Sequence, residues 1–214
     1  SASALSGNTV TSNTATDDGG GLFLDYSPAT LSGNTIAANT TTDNGGGLHL
    51  DDSDATLSGN TVTFNTAPNN EGGGLYLSGN SDATLSGNTI TSNTADDGGG
   101  MYLLDSDATL NGNTIAFNNT ADDGGGMYLL DSNATLNGNT ITRNTANSYG
   151  GGTCFQGSAA TVNENVISSN TGSGVYLGSS DATLSGNIIA SNKGGGVRLS
   201  HSNATLSGNT VISN

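Results

Sequence analysis

Aspartates supply most of the groups in this chain that could do chemistry, and they recur at a regular spacing. Pairs of them stand shortly before runs of glycine. If successive copies of this pattern stack, the carboxylates lie about 5 Å apart and repel each other. A cation that prefers oxygen ligands relieves that repulsion. The sequence therefore predicts calcium as its one candidate cofactor, at Asp17, Asp18, Asp96, Asp97, Asp122 and Asp123.

Tyrosines form a second candidate surface. They recur at the middle of a short alternating pattern such as Met101-Tyr102-Leu103, where we expect the side chain to point away from the core. An exposed aromatic column could stack on sugar rings or on a partner's aromatic groups. Packing of the rings against one another within a sheet is the alternative. The predicted surface ladder consists of Tyr76, Tyr102, Tyr128 and Tyr176.

Asparagine and hydroxyl side chains offer candidate modification sites. Four asparagines begin an Asn-x-Ser/Thr motif and could carry N-glycans in a host that has the N-glycosylation machinery: Asn39, Asn118, Asn133 and Asn203. Ser and Thr on the outer faces are candidate O-glycan acceptors. The Thr-x-Thr pairs also resemble the surface of ice-binding β-solenoids, although Ala37 and Ala116 interrupt them.

Residues that would support catalysis are sparse. His49 and His201 occupy unlike positions, and Cys154 is the only cysteine. The acid pairs recur with the repeat, which is typical of a surface and not of one active site. We therefore expect no enzyme, and a polysaccharide-active enzyme ranks third among the functions considered.

A sequence repeat positions all of these residues. An apolar anchor recurs after 22 to 28 residues, as from Leu31 to Leu57, from Leu57 to Leu85 and from Val162 to Leu184. Each repeat has three short alternating runs that end at turn signals, and none has helical periodicity. One copy cannot bury its apolar face, but stacked copies can. The variable repeat length favours an all-β, right-handed parallel β-helix of about nine coils with three strands each, forming a single segment over residues 1–214.

Two asparagines per repeat are expected at its corners. Asn tolerates unusual backbone angles, and stacked amides can hydrogen-bond along the axis. The first predicted column is Asn8, Asn34, Asn60, Asn88, Asn113, Asn139, Asn165, Asn187 and Asn209. The second is Asn13, Asn39, Asn65, Asn93, Asn118, Asn144, Asn170, Asn192 and Asn214.

Composition narrows the possible partners. The formal charge of -15 argues against nucleic acid and against anionic membranes, and no apolar run is long enough for direct membrane insertion. Hydrophobic residues make up only 32%, but their fixed positions argue against disorder. Without a capping pattern at either end, we expect a segment of a longer array that assembles head to tail or laterally.

The glycine-rich and Ile-x-x-Asn elements, such as Gly98 to Leu103 and Ile90 to Asn93, resemble the repeats of polymorphic outer-membrane-type proteins. Those are pectin-lyase-like β-helix passengers of surface adhesins and autotransporters. The resemblance implies an extracellular or cell-surface location. We expect a structural β-solenoid, either an adhesin stalk or a filament, with further copies of itself or surface glycans as partners; ice binding is the alternative.

Overall fold

The structure is a computed structural model, and it describes residues 3–214. The regular secondary structure in that range consists of β-strands alone. Each strand pairs in parallel with the equivalent strands of the neighbouring coils. No helix in residues 3–214 is long and apolar enough to span a bilayer. The predicted fold, an all-β parallel β-helix with three main strands per coil, is confirmed.

Three long sheets run along the rod. The first contains Ser3–Ser6, Ala29–Ser32, Thr56–Ser58, Thr84–Ser86, Thr109–Asn111, Thr135–Asn137, Thr161–Asn163, Thr183–Ser185 and Thr205–Ser207. The second contains Thr9–Thr11, Thr35–Ala37, Thr61–Thr63, Thr89–Thr91, Thr114–Ala116, Thr140–Thr142, Val166–Ser168, Ile188–Ala190 and Thr210–Ile212. The third contains Leu22–Asp25, Leu48–Asp51, Leu75–Ser78, Met101–Leu104, Met127–Leu130, Thr153–Gln156, Val175–Gly178 and Val197–Ser200.

A short fourth sheet was not predicted. Its two-residue strands are Thr14–Ala15, Thr40–Thr41, Thr66–Ala67, Thr94–Ala95 and Asn119–Thr120. In these five coils the strand follows the second asparagine, where the polar sequence predicts a loop. Two residues are too few for an alternating pattern to be visible, so periodicity alone could not detect these strands.

The core is a set of identical apolar columns. Leu57 pairs with Leu31 on one side and Leu85 on the other, and all three are at most 1% exposed. The second sheet contributes a column through Ile90, and the third contributes two through Leu75 and its neighbours. Each coil therefore covers the apolar face of the next, as the repeat requires.

The asparagine columns are buried hydrogen-bonded ladders. Asn113 Oδ1 accepts from the backbone N–H and the Nδ2 of Asn88, at 2.9 and 3.0 Å. Its own Nδ2 donates to the Leu85 carbonyl and to Asn139 Oδ1, both at 3.0 Å. The same pattern repeats along both columns, so one amide satisfies the backbone at a corner and joins three coils.

Replacing a ladder asparagine is expected to destabilise the rod far more than replacing a surface one. Asn113→Ala leaves the buried Asn88 N–H without its acceptor and removes the amide's bonds to the Leu85 carbonyl and to Asn139 Oδ1, which should cost about 3 kcal/mol of unfolding free energy. Urea unfolding followed by circular dichroism measures the loss. The matched control is Asn111→Ala, at a half-buried position whose side-chain Oδ1 accepts a hydrogen bond from Asn137 Nδ2 at 3.2 Å. Equal losses in the two variants would contradict the role of the ladder.

Candidate functional site

One edge of the rod carries a column that we call the acidic ladder. It consists of Asp18, Asn44, Glu71, Asp97, Asp123 and Tyr149, at the same position in six successive coils. Asp18 Oδ1 accepts from the Asn44 backbone N–H at 3.1 Å, and Asp123 Oδ1 accepts from the Tyr149 N–H at 2.7 Å. The side chains of Asp18, Asn44, Asp97 and Asp123 thus accept a backbone hydrogen bond from the next coil.

The six aspartates predicted to bind calcium do not converge. Asp17, Asp96 and Asp122 are exposed, whereas their neighbours Asp18, Asp97 and Asp123 are half-buried in the acidic ladder. Across residues 3–214, no group of three or more His, Cys, Asp or Glu side chains is placed to hold a metal ion. The structure thus lends the calcium prediction no support.

Burial changes the acid–base behaviour of the ladder. Burial, together with the neighbouring Asp122 and Asp97 carboxylates, raises the pKa of Asp123 to about 6, although the hydrogen bond from the Tyr149 N–H lowers it. Burial likewise raises the pKa of Asp97, in part offset by the hydrogen bond from the Asp123 N–H. Each added proton removes repulsion between carboxylates that the fold stacks together.

The tyrosine column exists, but the prediction that it is exposed is wrong. Tyr76, Tyr102 and Tyr176 are each only 7% exposed, and Tyr128 is half-buried. The rings of Tyr76 and Tyr102 stack at 5.3 Å, and those of Tyr102 and Tyr128 at 4.9 Å. Burial raises the pKa of Tyr76 to about 12. The rings pack against one another, as in the alternative interpretation.

The glycine runs explain why the tyrosines are covered. Gly98, at φ +60°, turns the chain back over the third sheet, so that a Cβ there would lie 2.8 Å from Tyr102 Cβ. The acidic ladder therefore passes over the outer face of the third sheet. Tyr149 shows this directly, because it stacks on Tyr176 at 4.5 Å and lies under the Arg198 guanidinium at 4.8 Å.

The four candidate glycosylation sites divide into two pairs. Asn39 and Asn118 belong to the second asparagine ladder and are at most 1% exposed, so their prediction as glycan sites on the folded protein is wrong. Asn133 and Asn203 are exposed, and each donates its backbone N–H to an aspartate of the preceding coil. These two positions remain open to modification.

A cluster around His49 was missed by the sequence interpretation. His49 replaces an aromatic residue in the tyrosine column and is 4% exposed. Its Nδ1 lies 3.2 Å from Asp18 Oδ1, and its Nε2 lies 3.0 Å from Ser78 Oγ. Ser78 Oγ in turn donates to Asp51 Oδ1 at 2.8 Å. The signal that could have found the cluster is a lone His in an otherwise aromatic column.

An open polar groove lies along the turns that follow the strands of the third sheet. Its volume is about 170 Å³, and its lining is almost entirely polar. The residues that line it are Asn80, Asp82, Asp105, Asp107, Asp131 and Asn133. Asn80 belongs to the turn that follows Ser78.

Protonation of Asp123 is expected to stabilise the fold. Its pKa is higher in the folded protein, about 6, than the ordinary 3.8, so stability is lost as pH rises from about 4 to 6. Asp123→Asn keeps the Oδ1 acceptor and mimics Asn44, so its melting temperature should exceed that of the wild type at pH 7 by about 2 °C and match it near pH 4. Calorimetry of both proteins across this range measures the difference. Asp181→Asn, in an exposed position, is the control; a pH-independent difference for Asp123→Asn would contradict the prediction.

Two family models match the chain. The one described as a right-handed beta helix region matches residues 73–214, and the one described as periplasmic copper-binding protein (NosD) matches residues 2–119. The chain matches no curated protein. Each family match covers more than half of the 214 residues. The chain therefore belongs to the right-handed β-helix family, and its N-terminal part also belongs to the NosD family.

Proposed function

We propose that this chain is a structural β-helix rod that works outside the cytoplasm, as an adhesin stalk or a filament-forming surface protein. The observation that carries the proposal is that the buried asparagine side chains bond one coil to the next along the rod, as from Asn60 to Asn88 and from Asn88 to Asn113. The word "periplasmic" in the description of the NosD family supports a location outside the cytoplasm. Further copies of the chain, or surface glycans, are the proposed partners.

Copper is named in the description of the NosD family, but among residues 3–214 the possible donors do not fit a copper site. Cys154 and Met101 are fully buried, and burial raises the pKa of the Cys154 thiol, which disfavours the thiolate. His49 already contacts Asp18 and Ser78. His201 is exposed but lies in a different coil from these donors.

The last described coil offers a surface for assembly. Leu206 and Val211 continue the buried columns of Leu184 and Ile189, yet they are 44% and 50% exposed. Stacking of a further coil on these residues would bury them as their equivalents are buried along the rod. The same contact, repeated between copies, would generate a filament.

Electron microscopy of the concentrated protein tests the rod. We expect particles of uniform width with an axial length of about 40 Å per copy, and end-to-end filaments of them. The double variant Leu206→Asp, Val211→Asp should leave single rods, because a charge replaces each exposed apolar side chain. Thr205→Asp, exposed on the outer face, is the matched control and should still form filaments. Compact particles would contradict the rod, and dispersed wild-type rods at high concentration would contradict the filament.

A second function, ice binding, is favoured by one specific observation. In the first sheet, threonines occupy the same outward position in eight consecutive coils: Thr30, Thr56, Thr84, Thr109, Thr135, Thr161, Thr183 and Thr205. All are exposed or half-buried. The interrupted pairs noted in the sequence belong to the second sheet, where Val166 and Ile188 break the corresponding column. The first sheet thus presents the more regular hydroxyl row.

Thermal hysteresis measures ice binding directly. If the first sheet binds ice, Thr84→Lys and Thr109→Lys should each reduce the hysteresis severalfold, because a long charged side chain disrupts the flat row. Thr114→Lys in the second sheet is the matched control and should leave the hysteresis unchanged. Absence of hysteresis in the concentrated wild-type protein would exclude this function.

A further inference from the structure

A column of residues lies on the outside of the rod at the corner that follows the second sheet. Each member directly precedes an asparagine of the second ladder and has a left-handed backbone, with φ between +53° and +59°. Most members are serine or alanine, so this corner requires only a small side chain. We call this set the corner column, and its members are Ser12, Ala38, Phe64, Ser92, Phe117, Arg143, Ser169, Ser191 and Ser213.

Three bulky side chains interrupt the small residues of the corner column. Phe64 and Phe117 are 64% and 55% exposed. Arg143 is exposed as well, and its guanidinium carbon lies 5.5 Å from the centre of the Phe117 ring. Bulky residues rarely adopt a left-handed backbone, and exposed rings gain no free energy from burial. Aromatic and arginine side chains are enriched at protein interfaces, so a partner that covers these three would account for their presence.

The sequence around the corner column carries no acid. No Asp or Glu lies within three residues of any member of the column. The chain as a whole has 18 acids against three Lys and Arg, so two copies that meet at other faces bring carboxylates together. Hydroxyls flank the column instead, such as those of Thr63 and Thr91, which lie 3.2 Å apart. This edge therefore allows two copies of an acidic rod to approach with little charge repulsion.

The order of large and small side chains makes the corner column complementary to an inverted copy of itself. Neighbouring members lie one coil apart, about 5 Å along the axis. A second rod can be turned end for end about a point midway between Phe64 and Ser92. Every bulky side chain then lies opposite a small one, and no other antiparallel register achieves this for all three. The facing pairs are Phe64 with Ser92, Phe117 with Ala38 and Arg143 with Ser12.

We propose that two copies of this chain pair side by side and antiparallel through their corner columns. The contact has two-fold symmetry, so each facing pair occurs twice and the assembly closes as a dimer. Each phenyl ring fills the space beside a serine or alanine of the other copy, which removes apolar surface from water. The contact spans six coils, about 25 Å, and an edge of this size belongs to the weak, transient class of interfaces.

The pairing rests on the proposed structural role, in which further copies of the chain are partners, and it names the surface through which they meet. It differs from end-to-end stacking, which uses Leu206 and Val211 in the last coil. The two contacts can therefore be separated. The double variant Leu206→Asp, Val211→Asp removes the end contact and leaves the corner column intact.

Sedimentation of this double variant over a concentration series, beside the wild type, measures the pairing. We expect a monomer–dimer equilibrium. Adding Phe64→Ser and Phe117→Ser should weaken the dimer by about 100-fold or more, because both rings are lost from the centre of the contact. Serine already occupies this corner in five coils with the same backbone, so the variant should keep the fold, which circular dichroism checks.

Tyr26→Ser is the matched control. Tyr26 is an aromatic residue that is 73% exposed and has a left-handed backbone, with φ of +45°. It lies in the turn after the third sheet and not in the corner column. Ser179 occupies the equivalent position in another coil, with φ of +49°, so serine is tolerated there. The dimer should be unchanged in this variant.

Disulfide cross-linking tests the register. Ser12→Cys and Arg143→Cys should cross-link with each other when the two variants are mixed, because these positions face each other between inverted copies. Neither variant should cross-link with itself. The native Cys154 is fully buried and does not take part.

Three results would overturn the proposal: a wild type and double variant that stay monomeric at every concentration, a dimer that persists after Phe64→Ser and Phe117→Ser, or self-cross-linking of Ser12→Cys, which indicates parallel rods. A monomer whose retention on insoluble cellulose depends on Phe64 would also overturn it and would assign the edge to a glycan. Rods and end-to-end filaments seen by microscopy do not depend on the corner column, so failure of the pairing is distinct from failure of the structural role.

Discussion

A buried amide must have all of its hydrogen bonds made, and this requirement holds the rod together. Each ladder asparagine loses its hydrogen bonds to water when it is buried. The free energy of that desolvation is offset only if the neighbouring coils place donors and acceptors within hydrogen-bond distance. Asn60 illustrates the result, with its Nδ2 shared between the Leu31 carbonyl and Asn88 Oδ1. A coil out of register would leave several buried polar atoms unpaired at once. The ladders therefore select a single stacking register, while the apolar columns supply the driving force for burial.

This constraint leaves the loops free to vary. The ladder is unbroken where a repeat has 28 residues, between Asn60 and Asn88, and where it has 22, between Asn165 and Asn187. Insertions accumulate in the segments before the glycines and after the third sheet, whose lengths the asparagine ladders do not fix. The irregular turn at Ser78 and the acidic ladder both lie in those segments. Any chemistry specific to one coil is expected there, because the corners and core are the same in every coil.

The fold could be predicted almost completely from the sequence, because each inward or corner position recurs in every repeat. An ambiguous residue in one repeat is therefore resolved by its equivalents in the others. Asn34 and Asn39 were placed correctly on spacing alone. The surface could not be predicted as well. Tyr102 alternates with core residues and so was expected to face solvent, but a loop from the same coil covers it. Asn118 fits both a glycosylation sequence and a structural column, and only burial separates the two. The contacts of His49 join three coils, because Asp18 lies in the preceding coil and Ser78 in the following one. These residues occupy different positions of the repeat, so the spacing of the sequence does not predict that they meet.

The asparagine ladders also give the rod an electrical direction. In both columns the amide of one coil donates to the carbonyl oxygen of the next coil along the chain, as from Asn34 to Asn60 and from Asn39 to Asn65. The side-chain dipoles consequently add along the axis and do not cancel, much as peptide dipoles add in an α-helix. The two ends of a stack are then unlike in potential even where their shapes are similar. Copies joined end to end would align their dipoles in one sense only, so that a filament one copy wide would be polar, with distinguishable ends.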